Sequence, residues 1–136
     1  MKSNEMESLS LHNRRLIVHI FNQIIESCGL ITIWNRGISS VDDYTSSHEG
    51  MQTMAASCML IESIGEGVKK IDRMAPGLLQ RLNSDIEWTE IIGLRNHIAH
   101  GYFNLDADII YDVVTHEIPK LADSLSELRE HFECEE

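Results

Sequence analysis

Ten residues carry most of the chemistry this sequence can offer: Gly93-Leu94-Arg95-Asn96-His97-Ile98-Ala99-His100-Gly101-Tyr102. Arg95 brings a permanent charge in a planar fork that fits phosphate oxygens. His100 can take or give a proton near neutral pH. An arginine close to a histidine suits phosphate chemistry. Asn96 and His100 are four residues apart and share a face of a regular helix, and His97 and His100, three apart, can share one. Arg95 and His100 are five apart, so about 140° apart around such a helix. They converge if the helix ends at Ala99, or if two chains each contribute to one cleft. Two other readings use the same residues. The polar side chains can simply satisfy helix-end carbonyls and neighbouring carboxylates. His97 and His100 can also form a helical zinc pair, although further ligands are needed and Asp106 or Asp108 would have to fold back to supply one.

These residues need a frame, and the periodicity of the chain is helical nearly throughout. Ile17, Ile20, Phe21, Ile24, Cys28 and Ile31 recur at three- and four-residue steps and mark a first long helix from about Ser10 to Trp34, ended by Arg36-Gly37. Residues 37–47 read as a connection with one short turn of helix at Val41–Tyr44. A second long helix runs from about Ser47 to Arg73, with an apolar stripe of Met51, Met54, Ala55, Cys58, Ile61, Ile64, Val68 and Ile71. Gly65 and Gly67 lie on it, and the usual reason for glycine there is close approach of another helix. Ala75-Pro76-Gly77 is a stop signal.

A third helix begins near Ser84–Glu87 and carries Trp88, Ile91, Ile92 and Leu94 to about His100, with Gly101 placed as its cap. A short helix over about Asp106 to Val114 follows. Thr115 is placed to cap a last helix whose inner face is Leu121, Leu125, Leu128 and Phe132. No two-residue alternation marks a strand. The expectation is an all-α antiparallel bundle of four to five helices in a single domain over residues 1–136.

Composition bounds the function. The 136 residues are 43% hydrophobic and 24% charged, ordinary globular usage that excludes a disordered chain. Net charge is −11. Residues 1–102 hold 9 basic and 12 acidic residues, and residues 103–136 hold 2 and 10. That balance argues against a protein coated in bases for non-specific nucleic-acid binding, while leaving room for a local RNA or nucleotide site. The acidic end, Glu127 to Glu136, reads as a solvated, frayed helix end. Arg14, Arg15, Lys69, Lys70, Arg73 and Arg81 are the bases available for a rim, with a solvated surface the simpler reading. Cys28, Cys58 and Cys134 form no CxxC pair and fit a reducing compartment, the first two as core residues. The first residues hold no apolar leader, and no apolar stretch approaches the 18 or so residues of a bilayer span. A cytoplasmic protein is expected.

Arg95, four residues, His100, one residue, Tyr102 form the R-x4-H-x-Y string that resembles the HEPN superfamily. The surroundings are similar to its HepT-like branch: Trp88-Thr89-Glu90-Ile91-Ile92-Gly93-Leu94-Arg95-Asn96, Ala99-His100-Gly101-Tyr102-Phe103, Asp108-Ile109-Ile110-Tyr111-Asp112-Val113-Val114, Ile118-Pro119 with Leu121, and Ile64-Gly65-Glu66 upstream. The resemblance covers roughly Met54 to Leu128 well and the first helix loosely. His97 departs from it, standing where the branch is usually aliphatic.

The resemblance implies a helical bundle that dimerises with the motif helices together. It also implies a toxin that is a metal-independent ribonuclease, working without a cofactor and paired with a minimal nucleotidyltransferase (MNT) antitoxin. On that pattern His100 is the general acid/base and Arg95 stabilises charge on phosphorus. Asn96 holds the phosphate or orients His100. Tyr102 accepts AMP from the partner, which inactivates the toxin. Products are a 2′,3′-cyclic phosphate and a 5′-hydroxyl. The other reading of the same resemblance is a non-catalytic subunit that docks a nucleotidyltransferase and presents Tyr102, or a nucleotide, to it.

Overall fold

The computed structural model describes residues 9–98 and 105–134, with side chains for all of these except 95–98, 133 and 134. Ser10 stands in extended backbone and its hydroxyl accepts from the Asn13 N–H at 3.0 Å, which starts α1 (Leu11–Trp34). All six residues expected on its inner face are buried. A short helix, α2 (Asp42–Thr45), follows. The Asp43 carboxylate accepts from the Ser39 N–H at 2.8 Å, the Ser39 hydroxyl at 3.1 Å and the Ser40 N–H at 3.2 Å. Those bonds hold its pKa below the ordinary value.

Ser47 caps α3 (His48–Met74) by accepting from the Gly50 N–H at 3.0 Å. The inner stripe of α3 differs from the sequence expectation at its start. Met51 is 51% exposed and Ala55 is exposed, while Ser57 is fully buried. After the Ala75-Pro76-Gly77 stop the chain does not run straight to the next long helix. Gly77 takes a left-handed φ of 78°, and α4 (Leu78–Leu82) buries Leu78, Leu79 and Leu82.

Then comes α5 (Trp88–Ile98), which begins at a buried tryptophan whose indole N–H donates to the Asn83 carbonyl at 2.8 Å. Asp106 caps α6 (Ala107–Asp112) by accepting from the Ile109 N–H at 3.1 Å. Thr115 is not the cap expected of it. The chain passes from α6 through a π turn, Val113–Glu117, directly into α7 (Ile118–Cys134). The Thr115 hydroxyl donates back to the Tyr111 carbonyl. Pro119 explains the wide turn: it has no N–H, and in α-helical register its ring would press on the Thr115 carbonyl. The N–H of Ile118 bonds instead to Val113, five residues back.

Contacts along the helices fix their directions. Asn35 meets Ser57, while Ile20 and Ile24 lie under Gly67, so α3 runs antiparallel to α1. The Tyr111 hydroxyl donates to the Ser39 carbonyl at 2.9 Å, and Phe132 packs edge-on to Phe21 at 5.5 Å. The α6–α7 run therefore returns from the C-terminal end of α1 toward its N-terminal end. α5 links the far end of α3 to α6 and runs back along α3. Among the described residues the elements are helical, and the four long runs enclose one core. The all-α antiparallel bundle expected from periodicity is the fold observed.

One end of this bundle is locked by buried polar groups. Asn35 Nδ2 donates to the Ile31 carbonyl and to Ser57 Oγ, both at 2.8 Å. Its Oδ1 accepts from the Tyr44 hydroxyl at 2.6 Å, and Ser57 donates to the Thr53 carbonyl at 2.7 Å. Every member of the network is satisfied, and together they tie α1, α2 and α3. The Tyr44 ring also meets Tyr111 edge-on at 6.2 Å. Burial, with a smaller contribution from Tyr111, pushes the Tyr44 phenol up to about 12.

α1 is long and apolar enough to cross a membrane by length and composition, with a mean hydropathy of 1.6 over its best window, contrary to the sequence expectation. Its most apolar residues, Ile17, Ile20, Phe21, Ile24 and Ile31, form the bundle core.

Replacing Asn35 strands the Tyr44 hydroxyl and the Ser57 side chain in the core. Asn35→Leu is expected to lower unfolding free energy by about 1–3 kcal/mol, read from the urea midpoint at unchanged slope.

Candidate active site

Gly65 seats the helix that bears Arg95, the first residue of the R-x4-H-x-Y string. A Cβ added at Gly65 would lie 3.1 Å from the Ile91 carbonyl oxygen and 3.7 Å from that of Ile92. The glycine thus lets the α5 backbone press directly on α3. Gly67, on another side of α3, receives Ile20 and Ile24 of α1. Both glycines meet a neighbouring helix, as their placement suggested. Trp88 and Ile91 are buried at this contact, and Ile92 and Leu94 are half-buried.

Arg95 stands four residues beyond Ile91, in the next turn of α5, and Asn96 follows it in the same helix. Because α5 runs antiparallel to α3, their backbone stands level with Ile61 and Glu62. His97 is also within α5. His100 and Tyr102, with the Gly101 cap expected between them, lie outside the described residues. The structure therefore places the backbone of Arg95 and Asn96 beside the middle of α3, on a helix that runs toward the end of the bundle occupied by α2 and the start of α6. It leaves the meeting of Arg95 with His100 as an expectation.

A cleft of about 150 Å³ runs along the α3–α5 seam, lined by Ile61, Glu62, Gly65, Glu66, Lys69, Ile91 and Ile92. It leads toward the turn that holds Arg95. Of its polar residues only Glu66 lay in the stretches that carried the resemblance. Glu62 and Lys69 become visible once α5 is laid antiparallel on α3. The bases weighed as a rim separate from the motif, since Lys70 and Arg73 stand at the opposite end of α3.

Cys28 and Cys58 do not enter the site. Burial pushes their thiols up to about 12 and about 11, with Glu62 adding a smaller contribution at Cys58. Both stay protonated at neutral pH and act as small core residues. Among the described residues, no three His, Cys, Asp or Glu side chains gather to hold a metal ion.

The model of the family described as "Ribonuclease HepT-like" matches residues 24–128, a span that runs from the middle of α1 into α7 and contains the whole motif. The chain belongs to the HepT-like ribonuclease family. A relative from Thermococcus cleftensis, "Probable ribonuclease HepT", is 32% identical over 78 residues, covering 57% of this chain and 67% of its own. One from Caldanaerobacter subterraneus subsp. tengcongensis, "Putative RNase TTE0752", is 29% identical over 105 residues, covering 77% and 87%. A Methanocaldococcus jannaschii protein, "Gamma-glutamylcyclotransferase and putative RNase MJ0434", is 28% identical over 112 residues, covering 82% of this chain and 47% of its own. No solved structure matches the chain. At the level of the family, the HepT-like chain is a ribonuclease-type enzyme on a helical bundle.

If Gly65 matters because α5 touches it, its substitution differs from that of a glycine in open space. Gly65→Val is expected to cost about 1–3 kcal/mol by overpacking. Gly29→Ala, with nothing within 4 Å of an added Cβ, is expected to gain about 0.5–1 kcal/mol of helix stability. Denaturant unfolding of the two variants beside the parent checks both signs.

Proposed function

We propose that this HepT-like protein is a metal-independent endoribonuclease, the toxin of a HEPN/MNT toxin–antitoxin pair acting in the cytoplasm. The observation that carries the proposal is the intact R-x4-H-x-Y string inside the matched span, its Arg95 on a helix that Gly65 seats against α3. The RNA 2′-oxygen attacks the adjacent phosphorus and the bond to the 5′-oxygen breaks. His100 is the general acid/base, taking the proton of the 2′-hydroxyl or giving one to the leaving oxygen. Arg95 neutralises charge that grows on the phosphoryl oxygens at the transition state. Asn96 holds the phosphate or orients His100. The products are a 2′,3′-cyclic phosphate and a 5′-hydroxyl, and no cofactor takes part.

Tyr102, two residues from His100, is the proposed acceptor of AMP from an MNT-type nucleotidyltransferase. The added phosphodiester places negative charge beside Arg95 and His100, where it competes with the RNA phosphate. The active form is proposed to be a homodimer with the motif helices at its interface. Support comes from the half of α3 nearest the motif, where Met51 and Met59 stand 51% and 65% exposed in a single chain. A second copy laid there covers both and answers the 140° separation of Arg95 and His100, since each chain supplies part of the cleft.

Arg95→Ala and His100→Ala are each expected to slow RNA cleavage by about 10²–10³-fold in buffer containing EDTA, with helicity unchanged. Cleavage that survives His100→Ala contradicts the assignment. A well-folded, unmodified parent that cuts no RNA, yet binds an MNT-type protein tightly, supports the non-catalytic docking subunit instead.

A further inference from the structure

The cations of this acidic chain are not spread evenly once the helices are assembled. Residues 11–19 of α1 and 67–74 of α3 pass each other at the end of the bundle from which α5 runs away, as the contact of Gly67 with Ile20 and Ile24 requires. These seventeen residues hold Arg14, Arg15, Lys69, Lys70 and Arg73, five of the chain's 11 cations, and Asp72 alone of its 22 carboxylates. His12 and His19 lie on the same stretch of α1.

Arg15, Lys70 and Arg73 are exposed, and Arg14 and Lys69 are half-buried. The Asp72 carboxylate is already occupied, accepting from the Gly77 N–H at 3.2 Å. Among the described residues none of the five cations forms an ion pair, and the Nε of Arg14 is enclosed without a hydrogen-bond partner. Glu66, one turn before Lys69 and Lys70 on α3, borders the patch, and α7 brings Glu127 and Glu130 to the same end of the bundle as Phe132 packs on Phe21, yet Arg15, Lys70 and Arg73 remain exposed. A patch of this kind in a chain of net charge −11 asks for a polyanion.

Lys69 joins the patch to the motif, because it is the one cation lining the α3–α5 cleft that leads toward Arg95, beside the carboxylates Glu62 and Glu66. Arg95 stands level with Ile61 and Glu62, so Lys69 lies about two helical turns, roughly 11 Å, along α3 from it. A single strand of RNA can span that distance with a few nucleotides.

We propose that the surface where the N-terminal half of α1 crosses the last turns of α3 binds the phosphate backbone of the RNA substrate, a few nucleotides from the bond that is cut. Arg15, Lys70 and Arg73 make the phosphate contacts and Lys69 hands the strand into the cleft. The proposal rests on the ribonuclease reading for the identity of the polyanion, but not on cleavage itself. It places grip about two helical turns along α3 from Arg95, so a protein with a strongly negative net charge still holds RNA.

The test measures binding apart from cutting. A fluorescein-labelled single-stranded 2′-O-methyl RNA, which offers no 2′-hydroxyl for attack, is titrated with the full chain at several salt concentrations, and anisotropy is followed. Lys70→Glu/Arg73→Glu is compared with Lys120→Glu/Arg36→Glu, which alters net charge equally at exposed cations elsewhere. The patch variant is expected to bind at least tenfold more weakly, with the slope of log K against log salt shallower by about 1.4, two phosphates at about 0.7 each. The control pair is expected to stay within about threefold of the parent. Equal losses in both pairs, or a parent that does not bind the RNA, overturn the proposal and leave the cations to an acidic protein partner. Failure of the nuclease reading shows separately, as a parent that binds this RNA but leaves an unmodified strand uncut.

Discussion

The approach of α5 to α3 at Gly65 is the constraint on which the rest of the molecule turns. Two helices that touch backbone to backbone need a residue without a side chain at the crossing, and a Cβ at Gly65 would stand 3.1 Å from the Ile91 carbonyl oxygen. The contact sets both the height and the register of α5. Trp88, hydrogen-bonded to Asn83 and buried, fixes where that helix starts. With start and crossing fixed, the turn bearing Arg95 and Asn96 has no freedom to slide along α3. The phosphate role proposed for Arg95 needs such fixed placement, because electrostatic stabilisation of a transition state depends on charge held in position before the reaction.

The two ends of the bundle differ. The end where α1 stops and α3 starts is locked by Asn35, Tyr44 and Ser57, whose hydrogen bonds are all satisfied within the core. Such a network specifies one packing of three helices, since any slip strands a donor or an acceptor at a cost of about 1–3 kcal/mol. The motif emerges from α5 toward that end. The other end gathers cations on α1 and α3. Between them lies the apolar core, with Phe21 against Phe132 and Ile61, Ile64 and Val68 facing inward. The α6–α7 run closes the bundle as one continuous helix because the π turn absorbs Pro119 rather than breaking at it.

Much of this frame was legible in the sequence, for a physical reason. Long helices with one apolar face bury that face, so Ile17 through Ile31 on α1 and Leu121 through Phe132 on α7 could be read directly, as could the helix starts near Ser10 and Ser47. The failures came where periodicity carries no signal. Met51 and Ala55 fit the α3 stripe by spacing but lie at its edge, exposed at the motif's end of the bundle. Asn35 and Ser57 are polar and fall outside any apolar pattern, and each is buried with the other as its partner 22 residues away. α4 is too short to show a period. Thr115 looked like a cap because proline four residues later suggests a helix start, and the π turn was the unforeseen alternative. At the site, residue types alone left phosphate chemistry, helix-end satisfaction and a metal pair open. The longer string around the motif is what singled out the ribonuclease family. Direction decided the rest: only when α5 is known to run antiparallel to α3 do Glu62 and Lys69 flank the path to Arg95, while Lys70 and Arg73 move to the far end.

The central claim is that this chain cuts RNA by attack of the 2′-oxygen, with no metal-bound water as nucleophile. The most direct measurement is the chemical identity of the ends left by the unmodified protein acting on RNA in EDTA, determined by mass spectrometry of the fragments. The account expects 2′,3′-cyclic phosphate on one fragment and 5′-hydroxyl on the other. Fragments ending in 3′-hydroxyl and 5′-phosphate, or cleavage that EDTA abolishes, would contradict it.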